Sequence, residues 1–87
     1  MKHASAATLQ ALEPLLSSLR ALPGLVEKKP GIFYRKGTAF LHFHEDAAGL
    51  FADVKLAGPG FERRAVDTAV QQRALLEDIR RMSEPGR

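Results

Sequence analysis

Phe40-Leu41-His42-Phe43-His44, and after a short break Leu50-Phe51-Ala52-Asp53-Val54-Lys55, are the stretches that decide the fold. Read as strands, their period of two puts Leu41 and Phe43 on one face and His42 and His44 on the other. The connection Asp46-Ala47-Ala48-Gly49 suits a four-residue hairpin loop with glycine at its left-handed position. That loop sets Glu45 opposite Leu50, His44 opposite Phe51, His42 opposite Asp53 and Phe40 opposite Lys55, and residues directly opposite share a face.

Toward the N-terminus, Lys36-Gly37 reads as a two-residue hairpin loop joining Ile32 to Arg35 with the strand that begins at Thr38. It pairs Arg35 with Thr38, Tyr34 with Ala39, Phe33 with Phe40 and Ile32 with Leu41. One face then collects Ile32, Tyr34, Ala39, Leu41, Phe43, Leu50, Ala52, Val54 and Leu56, an unbroken apolar set that reads as the core. The other collects Phe33, Arg35, Phe40, His42, His44, Phe51, Asp53 and Lys55. A further short strand, Leu25 to Lys29, precedes the Pro30-Gly31 turn. After Gly58-Pro59-Gly60, residues Phe61 to Val66 form a short edge strand carrying Arg63 and Arg64.

Helices flank these strands. Leu9, Leu12, Leu16 and Leu19 recur at helical spacing from about Ser5 to Leu22, with Ser5 or Thr8 as cap. Pro14 within that span either kinks the helix or opens its second half. Pro23-Gly24 ends it. Thr68-Ala69-Val70-Gln71 has the form of a capping box and starts a helix to about Met82, whose buried stripe includes Ala69, Leu75, Leu76, Ile79 and Met82. Ser83 to Arg87 reads as a frayed tail. The expected fold is α+β: a two-layer sandwich in one domain, residues 1–87, with an antiparallel sheet of four or five strands and both helices on one face. The opposite sheet face is left for solvent, a ligand or a partner.

At 87 residues there is room for one modest core. The absence of cysteine excludes disulfides, thiolate metal sites and cysteine nucleophiles, so any metal must be held by His, Asp or Glu. The first residues lack the apolar run of a signal peptide, and no segment approaches the roughly 18 apolar residues of a membrane span. A soluble, cytoplasmic protein without membrane contact is expected. The formal charge of +3 is spread over scattered basic doublets and describes a solvated basic surface.

The mixed face holds the chemistry. His42 and His44 lie roughly 7 Å apart on one strand face, with Asp53 across the ladder. Two imidazoles and a carboxylate on a rigid face suit a divalent metal, with positions left open for water or substrate. Phe40, Phe51, Asp53, Lys55 and Arg63 would flank a small ligand there. A metal-free alternative gives His42 an acid or base role near neutral pH with Asp53 orienting it, and His42 and His44 are the candidate catalytic residues. The plainest reading makes His42 and Asp53 an ordinary cross-strand pair.

Phe33, Phe40 and Phe51 would form an aromatic cluster on this face, which supports a competing reading as a homodimeric or partner-binding module without catalytic activity. Lys36-Gly37-Thr38-Ala39-Phe40-Leu41-His42-Phe43 resembles the longer signature of the RNA-recognition motif. Thr38 stands where a base-stacking aromatic belongs, and the required first strand is absent, so nucleic acid is not the expected partner.

The stretches Leu22-Pro23-Gly24-Leu25, Ala39 to His44 and Gly49 to Leu56, with the closing helix from Thr68 to Leu76, resemble the luciferase-like domain family over about residues 15 to 80. This is a group of small bacterial and fungal domains named for its occurrence in fungal luciferases. The resemblance implies that His42 and His44 line an oxygenation site.

Overall fold

Turn chemistry sets the sheet. In the computed structural model, which describes residues 2–83, the backbone at Lys36 (φ 54°) and Gly37 (φ 78°) lies in the left-handed region twice in succession. This is the two-residue turn whose twist matches that of the strands it joins. Glycine accepts such a φ at no steric cost, whereas lysine is strained there by about 1 kcal/mol. Lys36→Asn is therefore expected to stabilise the protein by about 0.5–1 kcal/mol, read as a higher urea midpoint at unchanged slope.

The element order is β1 (Lys2–His3), α1 (Ala6–Ala11), α2 (Glu13–Arg20), β2 (Leu25–Lys29), β3 (Ile32–Arg35), β4 (Thr38–Asp46), β5 (Gly49–Val54), β6 (Glu62–Ala65) and α3 (Ala69–Ser83). Strands β2-β3-β4-β5-β6 are neighbours in that order, each pair antiparallel. The short β1 pairs with the end of β4, setting His3 opposite His44. The expected α+β architecture is observed, with five strands in the main sheet and β1 as an addition. Residues 84–87 of the expected tail lie outside the described residues, and Ser83 closes α3.

Between β4 and β5 the expected register holds: His42 faces Asp53, His44 faces Phe51 and Glu45 faces Leu50. The loop is shorter than expected, because Asp46 pairs with Gly49 and only Ala47-Ala48 turn. Asp46 Oδ1 accepts the Ala48 N–H at 2.8 Å and tightens the turn.

Between β3 and β4 the structure corrects the sequence reading. Arg35 pairs with Thr38 and Tyr34 with Ala39, but the next pair is Phe33 with Leu41. Phe40 is thus the extra residue of a β-bulge, which bends the strand and lets two successive side chains point the same way. Phe40 (4% exposed) and Leu41 (0%) both enter the core, and Phe33 (0%) joins them. Ile32, now opposite His42, moves to the other face. Phe40 therefore cannot flank a ligand on the open face.

The N-terminal helix breaks at Leu12. Ser5 caps α1, and Pro14 sits in the first turn of α2, where its missing N–H costs nothing. The capping box of α3 is complete: Thr68 Oγ1 accepts the Gln71 N–H at 3.1 Å, and Gln71 Oε1 accepts the Thr68 N–H at 3.1 Å. Leu12, Leu15, Leu16 and Leu19 meet Leu75 and Ile79 over Phe33, Phe40, Leu41, Phe43, Ala52, Val54 and Val66. All helices thus cover one sheet face. Leu76 and Met82 are partly buried against this core as expected, whereas Ala69 is exposed. Among the described residues no helix is long and apolar enough to cross a membrane.

The turn into β3 is tied to α2. Gly31, at φ 76°, donates its N–H to Glu27 Oε2 at 2.9 Å, and Arg20 Nε donates to Glu27 Oε1 at 2.6 Å. Arg20 also donates to Glu13. Arg20, and to a lesser extent the Gly31 N–H, hold the Glu27 carboxyl below its ordinary value near 4.5. A carboxylate with a depressed folded pKa adds stability above its unfolded pKa and loses it as pH falls through the folded one. Unfolding midpoints should therefore drop on acidification from about pH 5 downward, and Glu27→Gln should flatten that slope in urea titrations at a series of pH values.

Candidate metal centre

The open sheet face gathers its histidines because β4 is longer than β3. β3 begins only at Ile32, after the Pro30-Gly31 turn and opposite His42, so the last residues of β4 extend past it with an edge free on that side. The chain before α1 fills it. Ala4 N–H donates to the Phe43 carbonyl at 3.2 Å, and His3 lies beside His44. Next to that pairing, Glu45 turns to accept the Ser5 N–H.

Three imidazoles result. Ring centroids lie 4.8 Å apart for His42 and His44, 5.1 Å for His3 and His44, and 6.2 Å for His3 and His42. One nitrogen from each can be chosen so that all three fall within 4.8 Å of one another. The closest approach is His42 Nδ1 to His44 Nε2, at 2.6 Å. Tetrahedral zinc, with Zn–N near 2.0–2.1 Å, needs donor pairs about 3.3 Å apart. The chosen nitrogens, all within 4.8 Å of one another, reach that spacing by side-chain rotation.

Asp53 buttresses the cluster. Although its backbone is opposite His42, its Oδ2 lies 3.2 Å from His44 Nε2, on the diagonal of the ladder. The orientation expected for His42 thus falls to His44, which corrects the proposed His42–Asp53 acid–base pair. Arg63 on β6 fixes the carboxylate from the other side, with Nε 3.1 Å from Oδ1 and Nη2 3.4 Å from Oδ2. Asp53 favours the proton on His44 Nε2, since a lone pair there would face a carboxylate oxygen. His44 Nδ1 is buried and has no hydrogen-bond partner among the described residues. Such an orphan costs about 1–3 kcal/mol, which a bound ligand relieves. A carboxylate behind a ligating imidazole is the usual outer support of a metal site, fixing tautomer and ring orientation.

His42 is pushed below the ordinary imidazole range, first by burial and then by His44, with His3 adding to the effect and Asp53 opposing it. The shift favours the neutral imidazole, the form that ligates a metal. Phe61 closes one side, edge-on to His42 with ring centroids 4.7 Å apart, and Lys55 Nζ sits 4.8 Å from the Phe61 centroid. Arg63 lies over Phe51 at 5.8 Å.

Of the residues singled out from sequence, His42, His44, Phe51, Asp53, Lys55 and Arg63 share this face, and Phe40 does not. Two contributors were not legible as site residues. His3 precedes a helix cap and shows its role only through pairing with β4. Phe61 reads as the start of an edge strand, and its exposure (43%) beside His42 becomes visible only once the sheet is assembled. Chemically, three neutral nitrogen donors with an accessible side can hold a divalent ion and leave a position for water or an exogenous ligand.

The chain matches no family model, no curated protein and no solved structure.

Proposed function

We propose that this chain is a small domain that binds a divalent metal on its open sheet face, through His42 and His44 together with His3, with Asp53 as a positioning residue for His44. The observation that carries this reading is the convergence of three imidazoles, two from one strand and one from a distant strand, with ligating atoms within 4.8 Å. Imidazole donors without a ligating thiolate or carboxylate favour zinc, copper or nickel over magnesium or calcium. The luciferase-like resemblance would add an oxygenation chemistry at the same histidines, and no step of the metal reading depends on it.

The competing reading, a homodimeric or partner-binding module, draws on an exposed cluster of Phe33, Phe40 and Phe51. With Phe33 and Phe40 in the core, the apolar side chains left on that face are Val26, Ile32, Tyr34, Phe51 and Phe61, set amid charged groups. The balance of observation favours the metal.

Titrating zinc and cobalt(II) into the purified protein tests the proposal. One equivalent should bind, cobalt should develop visible absorption of four- or five-coordinate character, and the His42→Ala/His44→Ala variant should lose both. Binding no stronger than in that variant would overturn the reading and return attention to association through this face.

A further inference from the structure

Resting on the metal reading above, we propose that the loaded centre takes a small organic carboxylate as its exogenous ligand, with the acid group on the metal and the apolar body against Phe61.

Charge and shape select this class of ligand. Three neutral imidazoles leave the two positive charges of the ion uncompensated. The carboxylate nearest the cluster cannot balance them, because Asp53 is already hydrogen-bonded to both Arg63 and His44. Lys55, two residues along the same strand face from Asp53, adds another cation and has no carboxylate partner among the described residues. Asp53 and Arg63 cancel, and Asp46 acts on Arg63 from the turn end of β4, so the ion and Lys55 set the sign of the field beside Phe61. An anion is the ligand that such a site prefers, since the ion and Lys55 both attract it.

Phe61 narrows the class. It is a large apolar side chain that remains exposed, and it stands edge-on to His42, directly beside the metal position. An inorganic anion would leave that ring in water, whereas a carboxylate with an aromatic or aliphatic body covers it and gains apolar contact. Lys55, with Nζ 4.8 Å from the Phe61 centroid, would meet the second carboxylate oxygen or the rim of the body.

Cobalt(II)-loaded protein provides the readout. Benzoate, acetate and inorganic phosphate are each titrated against the visible spectrum of the bound cobalt. Benzoate should shift the bands saturably and bind at least several-fold more tightly than acetate or phosphate. Phe61→Ala should bring benzoate and acetate to similar affinity, and Lys55→Gln should weaken both about three- to tenfold, each titrated on protein already saturated with cobalt. Cobalt bands that benzoate leaves unmoved overturn the carboxylate while leaving the metal site intact. Tighter binding of phosphate than of benzoate, or an unchanged benzoate preference in Phe61→Ala, overturns the assignment of class. Absence of cobalt bands in the unmodified protein instead removes the metal reading beneath it.

Discussion

Replacing His44 by alanine is expected to lower zinc affinity by at least about 100-fold, the largest functional loss available from one substitution. His44 is the centre of the cluster. It approaches His42 Nδ1 at 2.6 Å, packs beside His3 with ring centroids 5.1 Å apart, and is the imidazole that Asp53 braces at 3.2 Å. Removing it leaves His3 and His42, the most separated pair of rings, and two neutral donors do not hold zinc firmly in water. Asp53→Asn makes the subtler comparison. It preserves size but trades an acceptor for an amide that can donate, so the tautomer and orientation of His44 are no longer fixed. A fall of about 10–100-fold is expected there, smaller than for the ligand itself. Calorimetric titration of zinc into the three proteins measures all of this, and equal affinities for His44→Ala and the unmodified chain would exclude the cluster as the ion's site. Without metal, His44→Ala should cost little stability, since the substitution also removes the buried Nδ1 that has no partner.

Phe40→Ala is expected to be the most damaging change to the fold, at about 3–5 kcal/mol. The side chain is 4% exposed and packs with Phe33, Leu41, Phe43 and the helical leucines. Deleting a buried ring removes its transfer energy and leaves a cavity that a bulged strand, pinned by pairing on both sides, cannot easily collapse. For an 87-residue domain whose total stability is about 5–10 kcal/mol, such a loss brings the midpoint of thermal unfolding close to ambient temperature. Phe51→Ala, on the half-buried open face, should cost clearly less. Urea unfolding of both variants decides between two views of the mixed face. A stable Phe40→Ala protein with altered self-association would restore the exposed aromatic cluster, whereas large destabilisation with undiminished zinc affinity in the folded fraction places Phe40 in the core.

The difference between these two phenylalanines shows where sequence reasoning succeeds and stops. Phe51 sits in a hairpin of regular register, so alternation alone places it beside His44. Phe40 follows a turn of equally clear chemistry, yet one inserted residue reverses the alternation between Ala39 and Leu41. The run Ala39-Phe40-Leu41 contains no glycine or proline to mark the bulge. Three successive apolar residues are compatible with either register, and only the gain from burying Phe33, Phe40 and Leu41 together selects the one observed.

The parts of this protein fixed by local interactions were determined by the sequence itself. The Lys36-Gly37 turn, the Thr68–Gln71 capping box, the start of α2 at Pro14 and the pairing of His42 with Asp53 each depend on residues close along the chain, whose backbone preferences and periodicity act without help from the rest. Tertiary structure decided what depends on distant segments meeting. It placed β1 against the vacant edge of β4, so that His3 completes a cluster begun forty residues away, and it turned Asp53 along the diagonal to His44, where Arg63 from β6 could hold it. Such contacts form only after long loops have closed, and their energies depend on geometry that no single stretch of the chain specifies.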